Sequence, residues 1–356
     1  MTDIFKQLAQ TLDQMPEGFP ATESGVEIKI LKKIYSVEAA EMFLNLKRLP
    51  ETAEEVAERL GKPVDETREM LDDMAIKGQL ANNRSRGQQR YMTAPFVPGI
   101  YEYQINRLDR ELVDLVEAYF PFLNRTLGGF APSVGRILPI HEIVKSESSV
   151  QPYDDVRELL EVAKSFKILD CICRKEKAIL GEGCNHILEA CLNFSSEENA
   201  YDHFILAGRV IDKEEALEII EKSAEDGLVH NLVYNVKEGY GAVCNCCSCC
   251  CGLLKAAKEY NAPFIIAKSN FIATINQDDC SVCGTCAEER CPMDAIIMTD
   301  GTYFVNSETC IGCGVCIIDC PTESITLKLK PEADQESPPT TMVDWFEERR
   351  TSRGLS

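Results

Sequence analysis

Tryptophan occurs once and histidine four times in 356 residues, acidic side chains outnumber basic ones 58 to 37, and no cysteine precedes position 171. No apolar run reaches eighteen residues without a charge, which excludes a hydrophobic membrane-spanning helix. The opening MTDIFKQLAQTLDQ has neither the basic head nor the apolar stretch of a secretory leader, so the expected location is cytoplasmic. A formal charge of -21 opposes phosphate binding by the chain as a whole and favours docking onto basic protein surfaces. There is no G-x-G-x-x-G after a strand, no Walker loop and no nucleophile elbow, which leaves flavin or nicotinamide binding by this chain without support. What is abundant is cysteine, with 18 residues. In a reducing compartment that excess points to metal binding or redox chemistry rather than to disulfides.

The length predicts several domains. Residues 1–95 are mostly helical in pattern. TAEEVAERLGKPVDETREMLDDMAIKGQL places Thr52 and Glu55 in capping-box spacing, turns at Gly61 and Pro63, and stops at Gly78. QLANNRSRGQQRYMTAP adds two short strand candidates, and the whole resembles a winged helix-turn-helix. In a DNA reader the helix from Val64 to Lys77 would enter the major groove, with Arg84, Arg86 and Arg90 on phosphates. That helix carries Asp65, Glu66, Glu69, Asp72 and Asp73 against Arg68 and Lys77, which argues against nucleic acid and for a scaffold or protein-docking role.

Residues 96–269 read as a central Cys-rich α/β domain. Expected elements are a helix from about Asn106 ending at Pro121, another over Asp154 to Ser165, and KILDCIC as a strand with Cys171 and Cys173 on one face. Helices begin at Ser195 and at Asp212, and LVHNLVYNV is a strand. Residues 331–356 read as a disordered linker, PEADQESPPTT, and a tail carrying Trp345 and Phe346. Those aromatics would dock on a partner or fold back on their own chain.

Residues 270–330 hold two cysteine runs, Cys280-SV-Cys283-GT-Cys286-AEER-Cys291-Pro292 and Cys310-IG-Cys313-GV-Cys316-IID-Cys320-Pro321. Three thiolates at every third position can wrap one face of a cubane cluster, while a Cys-Pro corner aims the fourth elsewhere. C-x2-C pairs also suit zinc, but zinc does not call for two such runs each closed by Cys-Pro. The runs, with FIATI before and SITLKL after, resemble the bacterial two-cluster ferredoxins. The resemblance implies a ferredoxin-like βαβ fold and two 4Fe-4S clusters. It assigns Cys280, Cys283, Cys286 and Cys320 to one, and Cys310, Cys313, Cys316 and Cys291 to the other. Four residues rather than three separate Cys286 from Cys291, and the extra one is expected to bulge from a short helical turn. Acids Asp278, Asp279, Glu288, Glu289, Asp294, Asp300, Glu308, Asp319 and Glu323, opposed by Arg290 alone, predict a protein redox partner with a basic surface.

The ten other cysteines lie between Cys171 and Cys251, six of them in VCNCCSCCCG. As a helix start that segment would put Cys247, Cys250 and Cys251 on one face. The candidate ligands of a further iron–sulfur cluster or other metal cofactor are Cys171, Cys173, Cys184, Cys191, Cys246, Cys247, Cys249 and Cys250. The bland alternative is thiols packed as small hydrophobes. His186 is the best histidine candidate, placed between Cys184 and Cys191 and in a loop expected to turn into a helix. His230 should pack in a sheet, and His141 and His203 have no ligand-like context. The fold class is therefore α+β multidomain. The function expected is an iron–sulfur electron-transfer protein or oxidoreductase subunit, passing single electrons between a partner and the central site. A reductase with substrate at the central site and a redox-sensing winged-helix regulator are the alternatives.

Overall fold

The computed structural model describes residues 3–85, 87–140, 151–202, 208–238, 241–260 and 262–355, so His141, His203 and Arg86 lie outside the described residues. The chain opens with helices α1 (Ile4–Asp13), α2 (Val26–Ile34), α3 (Val37–Leu44), α4 (Ala53–Leu60) and α5 (Val64–Ile76). A hairpin of β1 (Ala81–Ser85) and β2 (Gln88–Met92) follows. Helix α4 starts where Thr52 Oγ1 accepts from Glu55 N at 3.3 Å and Glu55 Oε2 accepts from Thr52 N at 2.7 Å, so two otherwise orphaned donors are satisfied reciprocally. Beyond α5, Gly78 turns the chain at φ 66°, and a Cβ there would lie 2.5 Å from the Tyr103 carbonyl oxygen. Only glycine satisfies both demands. The two bases of α5 are occupied by acids: Arg68 pairs with Glu54 and Asp65, and Lys77 with Asp73 at 2.6 Å.

Helix α6 (Arg110–Gly128) runs through Pro121 instead of ending there. A proline forfeits one backbone bond, and burial of Leu112, Val116, Tyr119, Leu123 and Leu127 along the same stripe outweighs that loss. Seven strands then form one sheet in the order β6-β4-β5-β8-β7-β3-β9. They are β3 (Gly135–Leu138), β4 (Ser165–Asp170), β5 (Glu189–Ser195), β6 (Arg209–Ile211), β7 (Val229–Val233), β8 (Gly241–Cys246) and β9 (Ile266–Ala267). All neighbours are antiparallel except β3 and β9. Helices α7 (Val156–Glu161) and α9 (Lys213–Glu225) cover one face with Leu159, Leu160, Ile219 and Ile220.

Four expectations in this region fail. The helix over Asp154 to Ser165 shortens to α7 because Ser165 already belongs to β4. The helices expected after Cys184 and at Ser195 are absent: EACLNFS is β5, with Ala190, Leu192 and Phe194 buried on alternate positions, and turns follow it. KILDCIC is not one strand, since β4 ends at Asp170 and Cys171 caps the start of α8 (Ile172–Leu180).

Residues 270–330 have β10 (Phe271–Ile275) antiparallel to β13 (Ile325–Leu329), and a hairpin of β11 (Ile296–Thr299) with β12 (Thr302–Val305). A short helical turn lies between β10 and β11 and another between β12 and β13, a ferredoxin-like arrangement. Residues 331–341, expected to be a disordered linker, are instead pinned to the body. Glu336 and Asn270 exchange bonds of 2.9 and 3.1 Å, and Lys237 N and Glu238 N donate to the carbonyls of Pro339 and Thr340. Helix α11 (Met342–Ser352) then folds back on its own chain: Trp345 is fully buried and donates Nε1–H to Ser133 O at 2.9 Å. Arg349 donates to the carbonyls of Pro16, Leu127 and Pro132. Composition missed this because the anchoring comes from a few residues, not from the average polarity of the segment. One apolar cluster joins the N-terminal helices, α6, α10 (Gly252–Glu259) and the region of Ile311, Cys313 and Val315. Among the described residues no helix is long and apolar enough to cross a membrane.

Candidate metal centres

The C-terminal region encloses two cavities. Cys280, Cys283, Cys286 and Cys320 line one, and Cys291, Cys310, Cys313 and Cys316 line the other. Each thus draws three thiols from one run and the fourth from the other run's Cys-Pro corner. The cause is local. After Cys286 the chain makes a wide turn closed by Cys291 N to Cys286 O at 3.0 Å, whereas the second run uses a tighter turn over Val315–Ile317. A wide turn of this kind absorbs the extra residue of AEER as a bulge. Close approach is secured at Gly312, where a Cβ would meet Phe271 O and Ser269 Oγ at 2.2 Å.

The two cavities differ in access. Cys283 is exposed, whereas Cys313 and Cys316 are each only 7 % exposed. Burial pushes the Cys313 thiol up to about 12. Burial also disfavours the Cys320 thiolate, but donors at Ser324, Thr322 and Ile325 outweigh it and bring that group down to about 7. Four thiols around one apolar space suit a cubane cluster, whose iron would convert each thiol to a bound thiolate. The inner cavity abuts the central region: Ile140 N donates to Cys313 O at 3.1 Å, Arg290 donates to Glu225 O, and Lys258 of α10 pairs with Asp294.

The central cysteines fall into two groups. Cys184, Cys247, Cys249 and Cys250 have all their sulfurs within 4.8 Å of one another, with Cys250 Sγ 3.6 Å from Cys184 and 3.7 Å from Cys249. A loop after α8 supplies Cys184, and the turn between β8 and α10 supplies the other three. Cys171, Cys173, Cys191 and Cys246, also expected as ligands, lie in a second group together with Cys244 and Cys251. The helical face expected for Cys247, Cys250 and Cys251 does not form, since α10 begins only at Gly252, and Cys251 belongs to the second group. Cys244 and Cys251 were missed as candidates. The available signal was strand alternation, which puts Cys244 beside Cys246 on one face of β8 and opposite Cys191 of β5.

His186 is not drawn into the thiol groups, since its Nδ1 pairs with Asp226 at 3.1 Å. His230 is buried in β7 with Nδ1 2.6 Å from Asn245 Oδ1, and burial pushes its pKa down to about 4, so it is neutral. Arg174 is 3 % exposed and donates to Ile187 O at 2.7 Å and Asn245 O at 2.8 Å, which places a buried positive charge between the two thiol groups.

With this geometry in hand, comparison with known proteins is specific to one region. A family model for the 4Fe-4S dicluster domain matches residues 272–328. Two uncharacterized ferredoxins of Methanocaldococcus jannaschii are similar. One is 34% identical over 83 residues, covering 23% of this chain and 52% of the relative; the other is 35% identical over 91 residues, covering 24% and 51%. A ferredoxin of Rickettsia felis is 32% identical over 71 residues, covering 20% of this chain and 56% of its own. The chain thus spans about half the length of the curated relatives it matches. No solved structure matches. The C-terminal region is a 4Fe-4S dicluster ferredoxin domain, and that domain carries two 4Fe-4S clusters.

Proposed function

We propose that this chain is an electron-transfer protein that moves single electrons between a protein partner and its cysteine-rich central site. In this reading Cys280, Cys283, Cys286 and Cys320 hold the outer cluster, and Cys291, Cys310, Cys313 and Cys316 the inner one. The observation that carries it is the pair of four-thiol cavities, one open to solvent at Cys283 and one walled by the central region. When bound, each 4Fe-4S cluster supplies a one-electron couple. The protein supplies position and insulation: Tyr303 and Ile325 cover the outer thiols, and Met293, Ala295 and Ile311 cover the inner ones.

The partner would be basic. All nine acids of the domain named above are exposed, and Arg290 is neutralised by Asp319 at 2.7 Å. Val282 and Phe304, 38% and 46% exposed, add apolar contact within that rim. The helices and hairpin of residues 1–95 would serve as scaffold or protein-docking surface, because the bases of α5 are already paired with acids. The domain boundaries read from sequence remain part of this proposal.

A second reading, a reductase with substrate at the central site, draws on an open cleft of about 270 Å³ lined by Asp170, Glu189 and Arg209, with Cys171 the next residue after Asp170. The two readings separate on turnover of small substrates with an artificial electron donor. The test of the main proposal is redox titration of the anaerobic chain with spectroscopy of the reduced state. Two of the one-electron 4Fe-4S signals should belong to the C-terminal domain, one lost in Cys280→Ser and the other in Cys310→Ser. Both signals surviving both substitutions would overturn the ligand assignment.

A further inference from the structure

Six thiols of the central region are left outside the group of Cys184, Cys247, Cys249 and Cys250, and they neighbour one another in sequence around a ring. Cys171 adjoins Cys173, Cys173 adjoins Cys251, Cys251 adjoins Cys246, Cys246 adjoins Cys244, and Cys244 adjoins Cys191. The ring closes because Leu169, two residues before Cys171, is the register partner of Cys191, and Cys171 N donates to Leu188 O at 2.8 Å. Four separate elements build it. Cys191 and Cys244 are register partners on β5 and β8, and Cys246 follows on the same face of β8. Cys171 and Cys251 occupy the positions just before α8 and α10, so two helix N-termini face the ring.

Chance burial of small apolar groups does not account for this. A core made of thiols as hydrophobes would not need a charge beside it, yet Arg174, buried on α8 three residues after Cys171, donates to Asn245 O between Cys244 and Cys246. Its two Nη groups are satisfied by backbone carbonyls, but its buried Nε has no partner. Cys251 also stands at the N-cap of α10, where the first N–H groups of the helix favour negative charge. An anionic group is what this surrounding accommodates.

We propose that Cys171, Cys173, Cys191, Cys244, Cys246 and Cys251 form a metal centre of their own and take a polynuclear iron–sulfur cluster, distinct from the four-thiol site of Cys184, Cys247, Cys249 and Cys250. A polynuclear cluster rather than one zinc ion is the matching class, because a single zinc closes its shell with four ligands and would leave two of the six thiolates unbound. The proposal deepens the reading of the central region as a redox site, and its test separates the two central groups.

The experiment is iron and acid-labile sulfide per chain on full-length protein, anaerobically reconstituted, for three forms. Wild type should hold about 16 irons or more, from two C-terminal cubanes, the four-thiol site and the ring. Cys246→Ser with Cys251→Ser should lower that by about four irons or more, and Cys184→Ser with Cys250→Ser should remove a different set of about four. Wild type holding about 12 irons that the Cys184/Cys250 variant lowers and the Cys246/Cys251 variant leaves untouched would overturn the ring while sparing the four-thiol site. Zinc in place of iron at the ring would overturn it too. If the ring variant does not fold, the Cys184→Ser with Cys250→Ser form decides: about 12 irons or more retained supports the ring, and about eight refutes it.

Discussion

The C-terminal and central regions both gather thiols, but the first does so along the chain and the second across it. At the C-terminus, three thiols of each quartet come from one short run, and only the Cys-Pro cysteine crosses over. In the central region, neighbours in sequence part company: Cys246 and Cys251 enter the ring, while Cys247, Cys249 and Cys250 between them enter the four-thiol group. A compact spacing is a local instruction that a turn can execute. A ring built from β5, β8 and two helix starts exists only once the sheet is formed.

The most damaging way to probe this contrast is to remove a C-terminal thiol at the inner cavity. Cys313→Ser should cost one whole cluster, about four irons per chain, and leave the central iron unchanged in elemental analysis. Loss of central iron as well would mean that the regions are not independent in assembly. Next in size, Trp345→Ala should destabilise the chain by about 4 kcal/mol, because it empties a fully buried site and orphans the Ser133 carbonyl. Thermal unfolding should register it as a lower Tm, with the central region opening first; a Tm unchanged within error would mean that α11 is not anchored as described.

Smaller effects belong to the rim. Reversing Asp278, Asp279 and Glu289 to lysine should slow electron delivery to a small basic cytochrome roughly tenfold at low salt, with the difference vanishing as ionic strength rises. A rate insensitive to both charge and salt would remove the acidic rim from the docking account. Smallest of all, deleting Glu289 restores three-residue spacing after Cys286. It should leave iron content at the wild-type level and shift only the potential of the outer cluster, as read by redox titration.

How much was legible follows the same division. The capping box at Thr52, the helix from Asp212, the strands FIATI and SITLKL, and the excess residue before Cys291 are all local features, and each has its counterpart in the structure. The failures were places where distant packing decided. EACLNFS took strand geometry because Leu192 and Phe194 find a core between neighbouring strands. Pro121 sits within α6 because a buried stripe holds that helix on both sides. Residues 331–341 are pinned by Asn270, Lys237 and Glu238, none of them near in sequence. The partition of ten central cysteines into four and six belongs to this class, since β5 and β8 must pair before Cys191 meets Cys244. Spacing alone therefore counted the central thiols correctly but could not sort them.

The most direct test of thiol groups assembled by two different routes is iron-edge anomalous scattering from crystals of the anaerobically prepared chain. The account predicts iron density at four places: between Cys280 and Cys320, between Cys291 and Cys310, among Cys184, Cys247, Cys249 and Cys250, and within the ring from Cys171 to Cys251. Iron confined to the two C-terminal cavities, with the ten central thiols free, would contradict it.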